Sequence, residues 1–380
     1  MAVWLVFPPA WSPADGGADR RGLRPPAGRI EERFVYSQVH MGMQVRVVLF
    51  AAGETAAQRA AGAAFAEIAR LDAIFSDYRH DSELMQLATR SGGVPVPVSD
   101  ELFTVLERAQ ELWSRTGGAF DVTAGPLTAL WRRAIRDQRA PETVELQRAA
   151  ALTGGERMIL HPENRAVELS TAGMRLDLGA IAKGYILDRA LLALRGHGVP
   201  RALIEAGGDI VAGAAPPGRD GWRVAIAGGE HPATAGDRPA LEGAGLSPDP
   251  PAGVIQPAPE GAGPSSEPVA GGCEISLAEA AVSTSGDRFQ YAVIDGRRHS
   301  HTVDPRTGMG LTTRRTATVV AADGLTADAL ATALTLLDDA ASGDLLAAFP
   351  DARAWIRVAE GSTGSGPPTA LGDGCPNLRD

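Results

Sequence analysis

Alternating apolar and polar positions open the patterned part of the chain. VYSQVHMGMQVRVVLFAA, residues 35–52, is rich in β-branched residues and reads as one or two strands. The period then changes. TAAQRAAGAAFAEIARLDAIFS, residues 55–76, repeats Ala64, Ile68, Leu71 and Phe75 at helical spacing, which predicts a helix with one buried stripe. A second helix is expected from Ser99, a hydroxyl suited to an N-cap, with Leu102, Val105, Leu106 and Leu112 on its buried side. Gly117-Gly118 stops it, and residues 119–131 read as a loop and a short helix.

Strands are expected at 157–160, 166–169 and 174–178, then a helix over 180–197 that Gly198 ends. Strands follow at 201–205, 209–213 and 222–227. Residues 228–271 then turn to Gly, Pro, Ala, Ser and Glu with hardly any apolar period. Such a stretch cannot bury enough surface to order itself, so it reads as a disordered insertion. Pattern resumes at EISLAEAAVSTSGDRFQYAVIDG. A strand at 315–321, a helix at 326–338 and a last helix and strand within 340–358 complete it. This gives one domain over 35–358 between flexible tails, 1–34 and 359–380.

Composition narrows the class. The chain has 380 residues, 44% hydrophobic and 22% charged, as a soluble globular protein does. The formal net charge is −10 and no basic cluster stands out, so nucleic acid is not an expected partner. Cys273 and Cys375 are too few for a disulfide framework or a cysteine zinc site. No run of about 18 apolar residues is present, so membrane association is expected only through a partner. The N-terminal apolar run lacks a basic flank and carries early prolines, so it reads as a tail rather than a signal peptide. Localisation stays open, the cytoplasm included.

Four patches hold more small and polar residues than packing needs. In Gly117 to Pro126, glycines permit close backbone approach to a ligand, and Phe120 and Asp121 offer a face and an acceptor; a helix stop and capped turn explains the patch equally. Leu176 to Tyr185 runs a strand into a helix N-terminus, a place for an anion, with Lys183 in the first turn; alternatively Asp177 simply caps that helix and Lys183 is solvated. The Gly207-Gly208-Asp209 turn either lines the same cleft or only closes a hairpin. The third patch joins Ser283 to Arg288 with His299 to Gly308. His301 could act as a base, and His299, two residues away on one strand face, is an alternative. In the fourth, Asp328 and Thr332 stand at i and i+4, so their oxygens share a helix face that suits magnesium; dipole pairing and back-bonding would explain them as well. No P-loop, zincin or nucleophile-elbow signature occurs.

In order, His40-Met41-Gly42, Phe75-Ser76-Asp77-Tyr78 with Ser82-Glu83-Leu84, GAFDVTAGPLTALW, LDLGAIAKGYILDRA, EAGGDI, AVSTSGDR, HSHTVDPRTG and TADALATA resemble the ApbE family of FAD:protein FMN transferases. The match spans roughly 36–340 apart from the insertion. Each element alone is weak, and their common register is what carries the resemblance.

The resemblance implies an α+β fold, mixed or antiparallel sheets flanked by helices in a T-fold-like, two-lobed domain with a cleft. It implies that Met41, Tyr78, Ala119, Phe120, Asp121, Asp177, Lys183 and Thr302 contact FAD. It also implies that Mg2+ is held by Asp328, Thr332 and the carbonyls of Ala180 and Ala331, and that His301 is the base. The expected reaction moves FMN from FAD to a Thr or Ser hydroxyl of an acceptor protein and releases AMP. FAD pyrophosphatase activity and FAD binding without turnover are the alternatives. One departure stands out: Met41-Gly42-Met43 occupies a motif that the family commonly writes Met-Gly-Thr.

Overall fold

A computed structural model describes residues 31–226, 256–257, 273–286, 291–294 and 296–358. Both tails beyond residue 30 and residue 358, most of the 228–271 insertion, and Asp287 and Arg288 lie outside the described residues.

β1 (Glu32–His40) and β2 (Met43–Ala51) form a hairpin, so the first alternating segment is two strands, and it begins a few residues before the expected domain start. Its two-residue turn puts Met41 at φ 52 and Gly42 at φ 72, the left-handed pair that matches strand twist. Glycine adopts this freely; methionine does so at a cost, and such strain gathers at working sites.

The hairpin sits in an eight-stranded sheet ordered β17-β16-β11-β7-β6-β2-β1-β9. The other members are β6 (Ala202–Ala206), β7 (Asp209–Ala212), β9 (Gln256–Pro257), β11 (Ala280–Gly286), β16 (Arg315–Ala321) and β17 (Arg353–Val358). Every pairing in it is antiparallel. β9 falls inside the insertion expected to lack order, and its two residues pair with Tyr36 and Ser37 of β1.

Helices cover one sheet face. α1 (Glu54–Phe75), α3 (Asp100–Arg115), α6 (Ala182–Gly196) and α7 (Gly324–Leu336) bury Ile68, Leu106, Leu187 and Leu330 against Val47, Ile204 and Val319. Alternation within the strands sends the intervening residues to the other face, where Val48, Leu203, Val282 and Val320 meet a ribbon of β8 (Trp222–Ile226) and β10 (Cys273–Leu277). The result is an α+β arrangement of three layers.

Smaller elements surround this frame. α2 (Glu83–Thr89) follows α1, and a three-stranded sheet combines β3 (Val96–Pro97), β4 (Met158–His161) and β5 (Ala166–Leu169). α4 (Gly125–Asp137) and α5 (Thr143–Ala151) pack with Val303 around Trp131. β12 (Tyr291–Ile294) pairs with β13 (Arg297–Ser300), and β14 (Val303–Asp304) with β15 (Met309–Gly310). α8 (Asp339–Ala347) precedes the last strand. The run 174–178, expected as a strand, is extended chain with no partner strand among the described residues; the Asp177 amide goes to the carbonyl of Val122, which opens a short 3-10 turn, instead of to a ladder. Ser99 caps α3 through the amide of Leu102, as expected. Among the described residues no helix is long and apolar enough to cross a membrane.

Candidate active site

The first turn of α6 is the focus. Gly184 can stand there only because it lacks a side chain: a Cβ would lie 1.9 Å from the carbonyl oxygen of Gly324. α6 and the start of α7 therefore touch backbone to backbone. Asp188, one turn on, fastens the contact, accepting from the amides of Gly324 at 2.8 Å and Leu325 at 3.0 Å. Burial pushes its carboxyl up to about 7, against the pull of those two amides.

That contact delivers Asp328 to the site. Its side chain is 1% exposed, and one oxygen accepts from the amide of Gly184 at 3.1 Å. The other oxygen lies 3.9 Å from the ammonium of Lys183. Burial pushes this carboxyl up to about 7, opposed by Lys183 and reinforced by Asp209. Lys183 in turn donates to Asp209, whose second oxygen accepts from Ser283. Burial disfavours the ammonium, but Asp328 and Asp209 outweigh it and raise its pKa. Lys183 is thus an ion-paired group and not a solvated one. The Gly207-Gly208 turn both closes the β6–β7 hairpin and brings Asp209 here. A Cβ at Gly207 would stand 2.7 Å from the sulfur of Met43, the residue that departs from the family motif, so that flexible side chain would have to shift.

Thr332, one turn beyond Asp328, shares a hydrogen bond of 2.9 Å with Ser285 of β11. Its hydroxyl therefore faces the sheet rather than back-bonding within α7. Ala180 lies in the turn before α6, outside any helical ladder. Ala331 is fully buried inside α7, where a regular helix uses each carbonyl for the amide four residues on. Among the described residues no three His, Cys, Asp or Glu side chains cluster as a metal site. The donors that the resemblance names are instead one carboxylate, one hydroxyl and backbone carbonyls. All are hard oxygen donors, and the buried Asp328 carboxylate is only partly compensated by Lys183, so the set fits a hard divalent cation.

A second group gathers nearby. Arg132 of α4 donates to Asp77 and, at 2.7 Å, to Asp177. Its guanidinium carbon stands 5.0 Å from the centre of the Tyr78 ring, which is 74% exposed. Asp177 also accepts from the amide of Gly179 at 2.9 Å, so it caps the turn before α6 and not the helix itself. Burial and Asp177 raise the Asp77 carboxyl above its ordinary range, against Arg132.

Ala119 and Phe120 are buried, and the Asp121 carboxylate is engaged by Thr123 and Gly155. This run shapes the loop from within, and burial raises the Asp121 carboxyl despite those bonds. Met41 is half-buried at the β1–β2 turn.

The two histidines separate. β13 ends at Ser300, so His299 and His301 do not share a strand face. His299 is buried and stacks on Trp131 with ring centres 4.9 Å apart, and its Nδ1 has no hydrogen-bond partner among the described residues. Trp131 is tied by its indole to the carbonyl of Gly308 at 2.9 Å. His301 and Thr302 are half-buried in the bend that follows, and Ser300 holds the amide of Thr302 at 3.0 Å. Asp209, Ser283 and Ser285 join the site although the sequence marked them only as parts of a turn and a hydroxyl-rich run; Arg132 was not marked at all.

Known proteins resemble this chain in sequence and in fold. The ApbE family model matches residues 41–356. An FAD:protein FMN transferase of Klebsiella pneumoniae is 29% identical over 302 residues, covering 79% of this chain and 81% of the relative. One of Vibrio cholerae is 30% identical over 269 residues, 70% and 69% of the two chains. The flavinyl transferase ApbE of Pseudomonas stutzeri superposes with a TM-score of 0.68 at 26% identity, over 88% of this chain and 93% of that one.

Proposed function

The chain belongs to the ApbE family, and on that premise we propose that it transfers the FMN moiety of FAD to a protein, with a Thr or Ser hydroxyl as acceptor and AMP as the leaving group. The observation that carries this reading is the buried meeting of Lys183, Asp209 and Asp328 at the α6 N-terminus. A pyrophosphate is well matched to a helix N-terminus with a lysine beside it. A buried carboxylate on the next helix supplies the cation site that phosphoryl chemistry uses.

Asp328 and Thr332 would hold magnesium, with the carbonyl of Ala180 and, less directly, that of Ala331. When bound, magnesium would neutralise charge on the phosphates as the bond between the two phosphorus centres' bridging oxygen and the FMN phosphorus breaks. Lys183 would offer its ammonium to the same phosphate oxygens. His301 would take the proton of the acceptor hydroxyl while that oxygen bonds to the FMN phosphorus. Its partial exposure supports this role, because a protein acceptor must reach it. Tyr78 would offer its open ring face to the dinucleotide, and Met41, Asp177 and Thr302 would border it.

The test is mass spectrometry of candidate acceptor proteins after incubation with this protein, FAD and magnesium. Addition of one FMN to a Thr or Ser, with AMP released in step, is expected. AMP release at one rate with and without acceptor would favour FAD hydrolysis instead.

A further inference from the structure

Arg132 joins segments that the family resemblance ties to FAD, yet it is not one of the residues the resemblance names. Three observations converge on it. Its two terminal nitrogens go to different carboxylates, Asp77 after α1 and Asp177 before α6. Its guanidinium carbon lies over the Tyr78 ring, 5.0 Å from the ring centre. Its own position is fixed, because the preceding Trp131 is fully buried and anchored to Gly308.

Each contact has a consequence. An exposed tyrosine on a loop samples several rotamers, and a guanidinium under one face restrains it while leaving the other open. Asp177, held by Arg132 on one oxygen, keeps the other on the Gly179 amide and so fixes the turn that leads into α6. Without Arg132, Asp77 and Asp177 would face each other uncompensated and move apart. A planar fork can serve both carboxylates and the ring at once, which an ammonium cannot do.

We propose that Arg132 is a positioning residue for FAD, holding the Tyr78 ring and the Asp177 turn in the arrangement that the dinucleotide binds. It acts through these neighbours, since both ends of its guanidinium are already taken. The proposal rests on the functional reading above.

The test measures FAD affinity by quenching of flavin fluorescence, together with kcat and KM for AMP release, in the full chain with magnesium. Arg132→Met should raise Kd and KM for FAD about tenfold and leave kcat within about threefold, the signature of lost binding rather than lost chemistry. Arg132→Lys should restore only part of the affinity. Combining Arg132→Met with Tyr78→Leu should cost less than the two changes added, because both break one contact. A general loss of structure would lower kcat as well and add between sites. Where Arg132→Met does not fold, Arg132→Lys takes its place, alone and combined with Tyr78→Leu, and an FAD affinity of Arg132→Lys within twofold of the parent overturns the proposal. FAD affinity of the Met variant within twofold of the parent, or strict additivity in the cycle, overturns the proposal alone. A parent that binds no FAD overturns the functional reading along with it.

Discussion

The amide of Gly184 donates to a carboxylate oxygen of Asp328 at 3.1 Å, joining the first turn of α6 to the second turn of α7. The two residues are 144 positions apart. The bond aims a buried acid at the same helix end that carries Lys183. It depends on the close approach of Gly184 to Gly324, so the packing of two helices sets the position of a candidate metal ligand.

Replacing Gly184 by alanine tests that dependence. In an ordinary helix Gly→Ala gains about 1 kcal/mol. Here the new methyl would meet backbone of Gly324 at 1.9 Å and 2.3 Å, which cannot swing aside. A net loss of about 3 kcal/mol is expected. Denaturant unfolding of the two proteins measures it, and a variant as stable as the parent would show that the helices separate easily.

Asp328→Ala removes the one buried carboxylate among the proposed magnesium donors. FAD binding should persist while AMP release drops by a factor on the order of 10³ or more, since the charge stabilisation is lost at the reacting phosphorus. Full activity of this variant with magnesium present would refute the metal assignment.

Magnesium affinity should also depend on pH. A cation needs Asp328 ionised, and burial raises its carboxyl to about 7. The acid is therefore protonated below that value, and protons compete with the metal there. Affinity should fall up to about tenfold per unit below pH 7 and level off above it. Calorimetric titration with magnesium at pH 6 and pH 8 reads this directly; equal affinities would mean that no proton competes with the metal at Asp328 in this range, and a loss at pH 6 that persists in Asp328→Asn would place the competing proton elsewhere.

His299 and His301 should fail in different ways. His301→Ala should keep the parent's thermal midpoint and lose about 10²- to 10⁴-fold in transfer rate, as removal of a general base does. His299→Ala strips a buried ring from Trp131 and should cost about 1–3 kcal/mol of stability first. Paired melting curves and rate measurements separate them, and the reverse pattern would exchange their roles.

Much of the fold was legible because its signals are local. The stripe of Ile68, Leu71 and Phe75 marked α1, and Ser99 marked the start of α3. The run 174–178 misled because its apolar alternation reflects burial of Met174, Leu176 and Leu178 in the main core, without ladder bonding. The insertion's composition gave no sign of the two residues that pair with β1, since a strand of that length has no period.

Family, motif order and the shared helix face of Asp328 and Thr332 are legible in the chain alone, because a turn of helix relates residues four apart wherever the helix lies. Only the tertiary structure decided that Lys183 pairs with Asp209 and approaches Asp328, that His299 is packed away while His301 is not, and that Arg132 spans Asp77 and Asp177. These contacts join elements far apart in the chain. Their distances follow from the sheet order and from two helices meeting at glycines, and no local period encodes either.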